Sequence, residues 1–307
     1  MTIGRATTVL GAINADELGH VQPHEHVAID ASHLLDAPGY VFSFRDEPQM
    51  VTELGRYKDC GGASIVDVTP ADLGRDPKAL ARISEASGVH IVMGCGWYLN
   101  HSYTDLIDVS TTENLAEMLI EEVEHGVAGT GVKPGIIGEI GTAEPWVKPA
   151  EERVFRAVAR THRRTGIPIT LHTGEGAAKA QFGVLSEEGV DPSRLIFGHC
   201  DNKLDIAYHE WILDTGAYLE FDLIGVEWIN SDQRRIEALG ELVRRGHTER
   251  LLLSLDICYR SRLWTSGGPG YAFLLEHFLP KLAISGVGEE AIWLMTHENP
   301  QRVLGYL

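Results

Sequence analysis

The segment Gln22-Pro23-His24-Glu25-His26-Val27 places two histidines one residue apart at the end of a short stretch that we predict to be a β-strand. Because side chains alternate along a strand, both imidazoles project from the same side of the backbone. Such a pair can bind one metal ion. By itself the pattern does not establish a metal site, because surface pairs and hydrogen-bonded core pairs of histidines are more common. The remaining strands of the chain decide between these interpretations.

The composition indicates a globular protein that does not bind nucleic acid. The chain has 307 residues, of which 44% are hydrophobic and 23% charged, and its formal net charge is −18. The chain has only 26 Lys and Arg but 44 Asp and Glu, whereas contacts to nucleic-acid phosphates need basic residues. No segment approaches the roughly 18 apolar residues of a membrane span, and no signal peptide pattern opens the chain. We therefore expect a cytoplasmic protein without membrane contacts.

The cysteines predict neither a zinc knuckle nor a redox pair. They are widely spaced and form no CxxC motif. We expect free thiols at all four positions, which are Cys60, Cys95, Cys200 and Cys258.

Strand and helix patterns alternate along almost the whole chain. Besides the His24–His26 segment, we predict strands at 63–69, 90–97, 135–142, 167–173, 195–200, 217–223 and 251–257. Helical patterns occupy 76–88, 110–126, 150–165, 177–188, 203–215, 231–245, 270–284 and 288–304. The pattern of residues 7–13 predicts a strand or hairpin arm that covers one end of the fold. Residues 31–50 have no clear period, and we predict a loop there.

Eight strands in alternation with helices favour an α/β fold in which a single (β/α)8 TIM barrel follows a short N-terminal β-hairpin. An open doubly wound sheet would more often have fewer strands and a Gly-rich phosphate turn, and no GxGxxG or Walker sequence is present. With no linker or low-complexity tract, we predict one domain over residues 1–307.

Residues able to bind a metal fall at the carboxyl ends of five predicted strands. In a (β/α)8 barrel these ends meet over one mouth, where active sites are built. A single strand-end histidine could equally well hydrogen-bond a loop, but a carboxylate on a buried strand requires a cation or several donors. Together the residues predict a metal centre formed by His24, His26, Glu139, His172, His199 and Asp256.

The motifs around these residues resemble the phosphotriesterase-like group of the amidohydrolase superfamily. The resemblance rests on HEH at 24–26, GEIGT at 138–142, LHTG at 171–174, FGHCD at 197–201, EFDLIG at 220–225 and LSLDIC at 253–258. The opening segment 7–26 and the late segments 267–282 and 298–304 also match, so the resemblance spans essentially the whole chain.

The resemblance implies a centre with two divalent ions. His24, His26 and Asp256 would hold the more buried ion, and His172 and His199 the more exposed one. Many members bridge the ions with a carboxylated lysine, whereas this chain has Glu139 at that position, as in the phosphotriesterase homology proteins. The ligand set suits zinc, with manganese, cobalt and iron as alternatives.

The implied reaction is hydrolysis by a hydroxide that bridges the metals, with Asp256 as the acceptor of its proton. We expect a lactone, ester or amide carbonyl as the target. Asp222 is followed by Leu223, where lactonase and phosphotriesterase members typically have a basic residue, and this argues against efficient organophosphate hydrolysis. Phosphotriesterase activity and a non-catalytic ligand-binding role remain the alternatives, and a homodimer is left open.

Several residues near the predicted mouth are candidates for substrate contact. Tyr98 matches a tyrosine that some lactonases place near the bridging hydroxide, although it could equally pack against the barrel rim. Arg260 and Arg262 beside Trp264 suggest a small anionic substrate, with surface ion pairs as the alternative for each arginine. Trp228 could form a wall of the same pocket or cover the barrel edge.

Overall fold

The computed structural model describes residues 4–34 and 42–306. Its strands are β1 (Arg5–Thr8), β2 (Gly11–Asn14), β3 (Val21–Glu25), β4 (Ile29–Asp30), β5 (Ser43–Phe44), β6 (Ser64–Asp67), β7 (His90–Cys95), β8 (Ile136–Thr142), β9 (Ile169–Thr173), β10 (Leu195–Phe197), β11 (Tyr218–Phe221) and β12 (Leu251–Leu253). Its α-helices are α1 (Glu47–Asp59), α2 (Pro77–Ser87), α3 (Asp105–Val109), α4 (Thr112–His125), α5 (Pro149–Thr165), α6 (Ala178–Glu187), α7 (Ile206–Asp214), α8 (Asp232–Arg244), α9 (Leu279–Ile284), α10 (Glu289–Trp293) and α11 (Asn299–Leu304).

Eight of these strands form a parallel barrel with helices between them. Each is hydrogen-bonded to the next in the order β3, β6, β7, β8, β9, β10, β11 and β12. The backbone N–H of Asp256 donates to the carbonyl of His24 (3.2 Å), and the backbone N–H of His24 donates to Ser254 Oγ (3.0 Å). These bonds link the end of the last strand to the first, so the carboxyl ends of all eight strands surround one mouth.

The opposite end of the barrel is filled with apolar side chains. One buried cluster combines residues of seven barrel strands with others from the N-terminal segment and from α11. Its members are Ala6, Leu18, Val21, Val66, Val68, Val92, Ile136, Ile196, Tyr218, Leu252, Val303 and Leu304. The interior is therefore a packed core rather than a pore, and in barrels of this kind active sites form at the carboxyl ends of the strands.

The predicted barrel and N-terminal hairpin are confirmed. β1 and β2 pair antiparallel, with Arg5 opposite Asn14 and Thr8 opposite Gly11. β1 also lies against the barrel, because the N–H of Val9 donates to the carbonyl of Ile91 in β7 (2.9 Å).

The loop predicted for residues 31–50 is wrong at its C-terminal part. β5 lies within it, and α1 begins at Glu47, while residues 35–41 lie outside the described part of the chain. The Asp46 carboxylate caps α1 by accepting the N–H of Gln49 (2.8 Å), and Pro48 occupies the first turn. A proline there starts a helix, since the first-turn N–H groups have no partner in the helix anyway.

The two helices predicted near the C-terminus are interrupted. Five residues of π-helix, Leu274–Phe278, precede α9, and a second π-helical segment, Leu294–Glu298, joins α10 to α11. Across residues 4–34 and 42–306, no helix is long and apolar enough to cross a membrane.

Candidate metal centre

The other five predicted ligands converge around the carboxylate of Glu139. Glu139 Oε2 lies 2.8 Å from His172 Nδ1, 3.4 Å from His24 Nε2 and 3.5 Å from His199 Nε2. Glu139 Oε1 lies 3.4 Å from His26 Nε2, which is 3.3 Å from Asp256 Oδ1. The two oxygens of one carboxylate thus face two different groups of ligand atoms.

Two subsets of these residues have the spacing of a metal site. The ligand atoms of His24, His26 and Asp256 all lie within 4.8 Å of one another, and so do those of His24, Glu139 and His199. His172 Nδ1 is 2.8 Å from His199 Nε2 and therefore adds a further nitrogen to the second subset. A third group, His24, Glu220 and Asp222, lies on the far side of the His24 ring.

The carboxylate of Asp222 orients two of the histidines. Asp222 Oδ1 is 2.8 Å from His199 Nδ1, and its Oδ2 is 3.1 Å from His24 Nδ1, where Glu220 Oε2 also lies at 3.3 Å. With Nδ1 directed at a carboxylate in both rings, Nε2 is the nitrogen left for a metal. In the described residues, the buried His24 Nε2 has no hydrogen-bond partner, as expected of an atom that binds an ion.

Both His199 and Asp256 have backbone angles in the left-handed region, with φ of 55° and 46°. Residues other than glycine seldom adopt this conformation, which costs about 1–3 kcal/mol. The N–H of His199 donates to both oxygens of Asp222 (3.0 and 2.9 Å), so the carboxylate that orients the ring also holds the turn. These turns direct two predicted ligands into the mouth two to three residues after their strands end.

Neighbouring imidazoles stabilise the charged forms of the two carboxylates of the centre, Glu139 and Asp256. Burial raises the pKa of the Glu139 carboxyl, but the imidazoles of His172, His199 and His24 outweigh it and hold that pKa well below its usual range. Burial likewise opposes ionisation of Asp256, whose pKa nevertheless lies below its ordinary value because His26 faces it. Both carboxylates are therefore ionised near neutral pH and available to a cation.

A cavity of about 100 Å³ opens directly above the centre. Glu139, His26, His172, His199 and Asp256 form its floor. Its walls are mostly apolar and consist of Ile29, Ala31, Leu34, Phe42, Leu73, Tyr98, His101 and Cys258. The structure thus brings Tyr98 to the predicted metal ligands, with its ring centroid 4.9 Å from that of His172.

The other predicted substrate contacts do not line this cavity in the described part of the chain. The Arg262 guanidinium is buried and donates to the carbonyls of Leu255 (2.6 Å) and Ile224 (2.9 Å), while that of Arg260 donates to the carbonyl of Ser43 (2.8 Å). Both arginines thus hydrogen-bond backbone carbonyls of neighbouring segments.

The two tryptophans lie outside the cavity as well. The Trp264 ring is 44% exposed and lies 4.8 Å from the Arg56 guanidinium, and Trp228 is 64% exposed. Whether either residue meets substrate stays a prediction.

Sequence reasoning did not assign roles to Asp222, Glu220 or Glu25. Asp222 follows the buried strand β11 directly, so the argument that identified Glu139 and Asp256 applied to it equally. Glu25 lies between two ligands, but alternation points its side chain away from them.

The phosphotriesterase family model matches residues 4–304 of the chain. The chain belongs to the phosphotriesterase family. A phosphotriesterase homology protein of Escherichia coli is 34% identical over 293 residues, covering 94% of this chain and 98% of that protein. An N-acetyltaurine hydrolase of Danio rerio is 30% identical over 346 residues, covering 99% of this chain and 98% of that protein.

A family member of known structure has nearly the same fold. The crystal structure of a lactonase from Listeria monocytogenes superposes with a TM-score of 0.93 at 29% identity, covering 99% of each chain. Members of the phosphotriesterase family are named as hydrolases, and this chain is an enzyme of that class. The His, Glu and Asp groups of the mouth are candidates for its metal site.

Proposed function

We propose that the chain is a binuclear metal-dependent hydrolase that cleaves a lactone, ester or amide bond of a small substrate. The observation that carries this proposal is the position of Glu139, whose two oxygens face His26 on one side (3.4 Å) and His172 on the other (2.8 Å). A carboxylate in this position suits a bridge between two cations. Bound divalent ions would supply a polarised water and a Lewis acid for the substrate oxygen.

Zinc fits the donor set best, because the ligands are imidazoles and carboxylates. His24, His26 and Asp256 would hold one ion, and His172 and His199 the other, with Glu139 shared between them. Manganese, cobalt and iron accept the same ligands.

Two residues of the mouth can move or direct protons. Asp256 is ionised and lies on the cavity floor, so its carboxylate can accept a proton from the attacking water and transfer it to the leaving group. Burial and the charges of Glu139 and Asp256 raise the pKa of the Tyr98 phenol well above its usual value. Tyr98 thus keeps its proton and can donate a hydrogen bond to the substrate.

The cavity favours a small substrate with an apolar acyl part. In the described part of the chain its volume is about 100 Å³, and five of its wall residues are aliphatic or phenyl. Arg260 and Arg262 do not support the predicted anionic group, because their guanidinium groups bond to backbone carbonyls. Besides Tyr98, His101 is a polar wall residue that can meet a charged or polar end of the substrate.

Two relatives favour a carbonyl centre, since one is named an N-acetyltaurine hydrolase and another a lactonase, whereas a third is named a phosphotriesterase. The test is a turnover assay on metal-free protein before and after addition of zinc, manganese or cobalt. The panel contains γ-lactones, aryl acetates, N-acetyl amino acids and a diethyl aryl phosphate. We expect turnover of at least one carbonyl substrate, only with metal, and weak or no turnover of the phosphate triester.

Changing Asp256→Asn should lower kcat at least about 100-fold, because it removes the proton acceptor. Asp59→Asn, an exposed site at the end of α1, should leave kcat unchanged. Full activity without metal would contradict the proposal. Binding of the whole panel without turnover would favour a ligand-binding role, and fast turnover of the triester would favour a phosphotriesterase.

A further inference from the structure

Glu25, the residue between the two histidines of the first motif, directs its carboxylate away from the metal ligands. Its Oε1 accepts the backbone N–H of Leu255 (2.8 Å) and the hydroxyl of Ser254 (2.7 Å), and its Oε2 accepts the N–H of Ile257 (2.9 Å). All three donors belong to the four residues that contain Asp256. One side chain of β3 therefore holds the backbone on both sides of that ligand.

This arrangement is energetically expensive. Glu25 is fully buried, so its carboxylate has lost the water that would otherwise solvate its charge. A buried carboxylate without a cation is tolerated only when several donors satisfy it. A buried apolar side chain would fill the same position without this cost, so the three hydrogen bonds require an explanation.

The segment that Glu25 holds has an unfavourable backbone. Asp256 has a φ of 46°, which places its side chain over the mouth, 3.3 Å from His26 Nε2. The same segment is held from its carbonyl side, because Arg262 Nη1 donates to the carbonyls of Leu255 (2.6 Å) and Asp256 (3.2 Å). The Glu25 carboxylate thus accepts N–H groups of this segment, and the Arg262 guanidinium donates to its carbonyl groups.

We propose that Glu25 is the positioning residue of Asp256 and that its two backbone hydrogen bonds set the affinity of the centre for the ion that Asp256 binds. This inference rests on the proposed function. Groups that orient metal ligands in this way typically contribute 10–100-fold to metal affinity.

The chain contains a matched control for this role. Glu53 is also buried, with 1% exposure, and its carboxylate accepts the N–H groups of Trp264 (3.1 Å) and Thr265 (2.7 Å) and the hydroxyl of Thr265 (2.7 Å). The number and kind of donors are the same, but the bonded segment carries none of the predicted metal ligands. Loss of stability alone would affect Glu25 and Glu53 variants alike.

The experiment compares Glu25→Gln with Glu53→Gln. Zinc binding to metal-free protein is measured by equilibrium dialysis, and the visible spectrum of the cobalt-substituted protein reports the ligand geometry. We expect Glu25→Gln to bind one of two zinc equivalents about 10–100-fold more weakly and to show an altered cobalt spectrum. Glu53→Gln should match the wild-type protein within about twofold in zinc affinity.

Equal zinc affinities and unchanged cobalt spectra in both variants would overturn the inference. If Glu25→Gln does not fold, Glu25→Asp replaces it in the same comparison, because the shorter carboxylate keeps the charge but cannot reach both N–H groups. Wild-type affinity in folded Glu25→Asp would then overturn the inference. A wild-type protein that binds no zinc would instead overturn the proposed function, and the inference with it.

Discussion

Asp222 shows how single residues arrange this centre. Its two oxygens contact the backbone N–H and the Nδ1 of His199 and the Nδ1 of His24. One carboxylate thus orients two imidazoles. Asp67 acts similarly on the segment after His26, since it accepts the N–H groups of Val27 (2.6 Å) and Ala28 (3.2 Å). His199, His24 and the segment after His26 are therefore held by buried carboxylates from other strands of the barrel.

Changing Tyr98→Phe tests the role of the phenol in the cavity. If the hydroxyl donates a hydrogen bond to the reacting carbonyl, its removal should lower kcat about 10-fold without changing the zinc content. Steady-state kinetics together with elemental analysis measure both quantities. Tyr103→Phe, on the same loop but outside the cavity lining, is the control and should keep its kcat. Equal kcat values for wild type and Tyr98→Phe would show that the ring only forms part of the wall.

The predicted ligands could be identified from the sequence because each lies in a buried strand or within three residues after its end. Barrel topology then determines on which face they meet, as for Glu139 and Asp256. The side-chain direction within a loop has no comparable rule. Arg262 accordingly fits the sequence pattern of a substrate contact, whereas the folded chain turns it inward onto the carbonyl of Leu255.

At the level of elements, the alternation of strands and helices was sufficient to predict the barrel, although the strands are shorter than predicted. β12 ends at Leu253, and beyond it the backbone N–H groups donate alternately to neighbouring strands, at Phe221 and His24, and to the Glu25 side chain. The helix α1 was missed because Pro48 was interpreted as a loop residue. Its buried face, Met50, Leu54 and Tyr57, has helical spacing and was available in the sequence.

A buried histidine between β3 and α1, His20, should make the free energy of unfolding depend on pH. His20, just before β3, lies with Nδ1 3.0 Å from the Tyr57 hydroxyl, and burial, aided by the nearby His297, lowers its pKa from 6.5 to about 3. Below pH 6.5 the unfolded chain therefore takes up a proton at His20 that the folded chain does not. The fold loses stability as pH falls from 6.5 toward 3, by about 2 kcal/mol between pH 7 and pH 5.

Urea unfolding of the wild type and of His20→Gln at pH 7 and pH 5 measures this contribution. The free energy of unfolding of His20→Gln should fall by about 2 kcal/mol less than that of the wild type. His125→Gln, at an exposed position of α4, should behave like the wild type. Parallel behaviour of all three proteins would contradict a neutral, buried His20.

At the scale of the whole molecule, the centre exists only when the barrel closes. Its predicted ligands lie on or shortly after β3, β8, β9, β10 and β12, and the first and last are His24 and Asp256. The hydrogen bonds that join the end of β12 to β3 are the same ones that position Asp256. We therefore expect metal binding and barrel closure to stabilise each other, since a ligand that binds only the folded state adds to its stability.

Zinc titration of the metal-free protein tests the central claim most directly. Bound zinc per chain is measured by elemental analysis after dialysis at each step, and turnover of the best carbonyl substrate is followed in the same samples. The six converging ligands predict that bound zinc and turnover both reach their plateau at two equivalents per chain. A plateau at one equivalent, or full turnover before any zinc is added, would contradict the account.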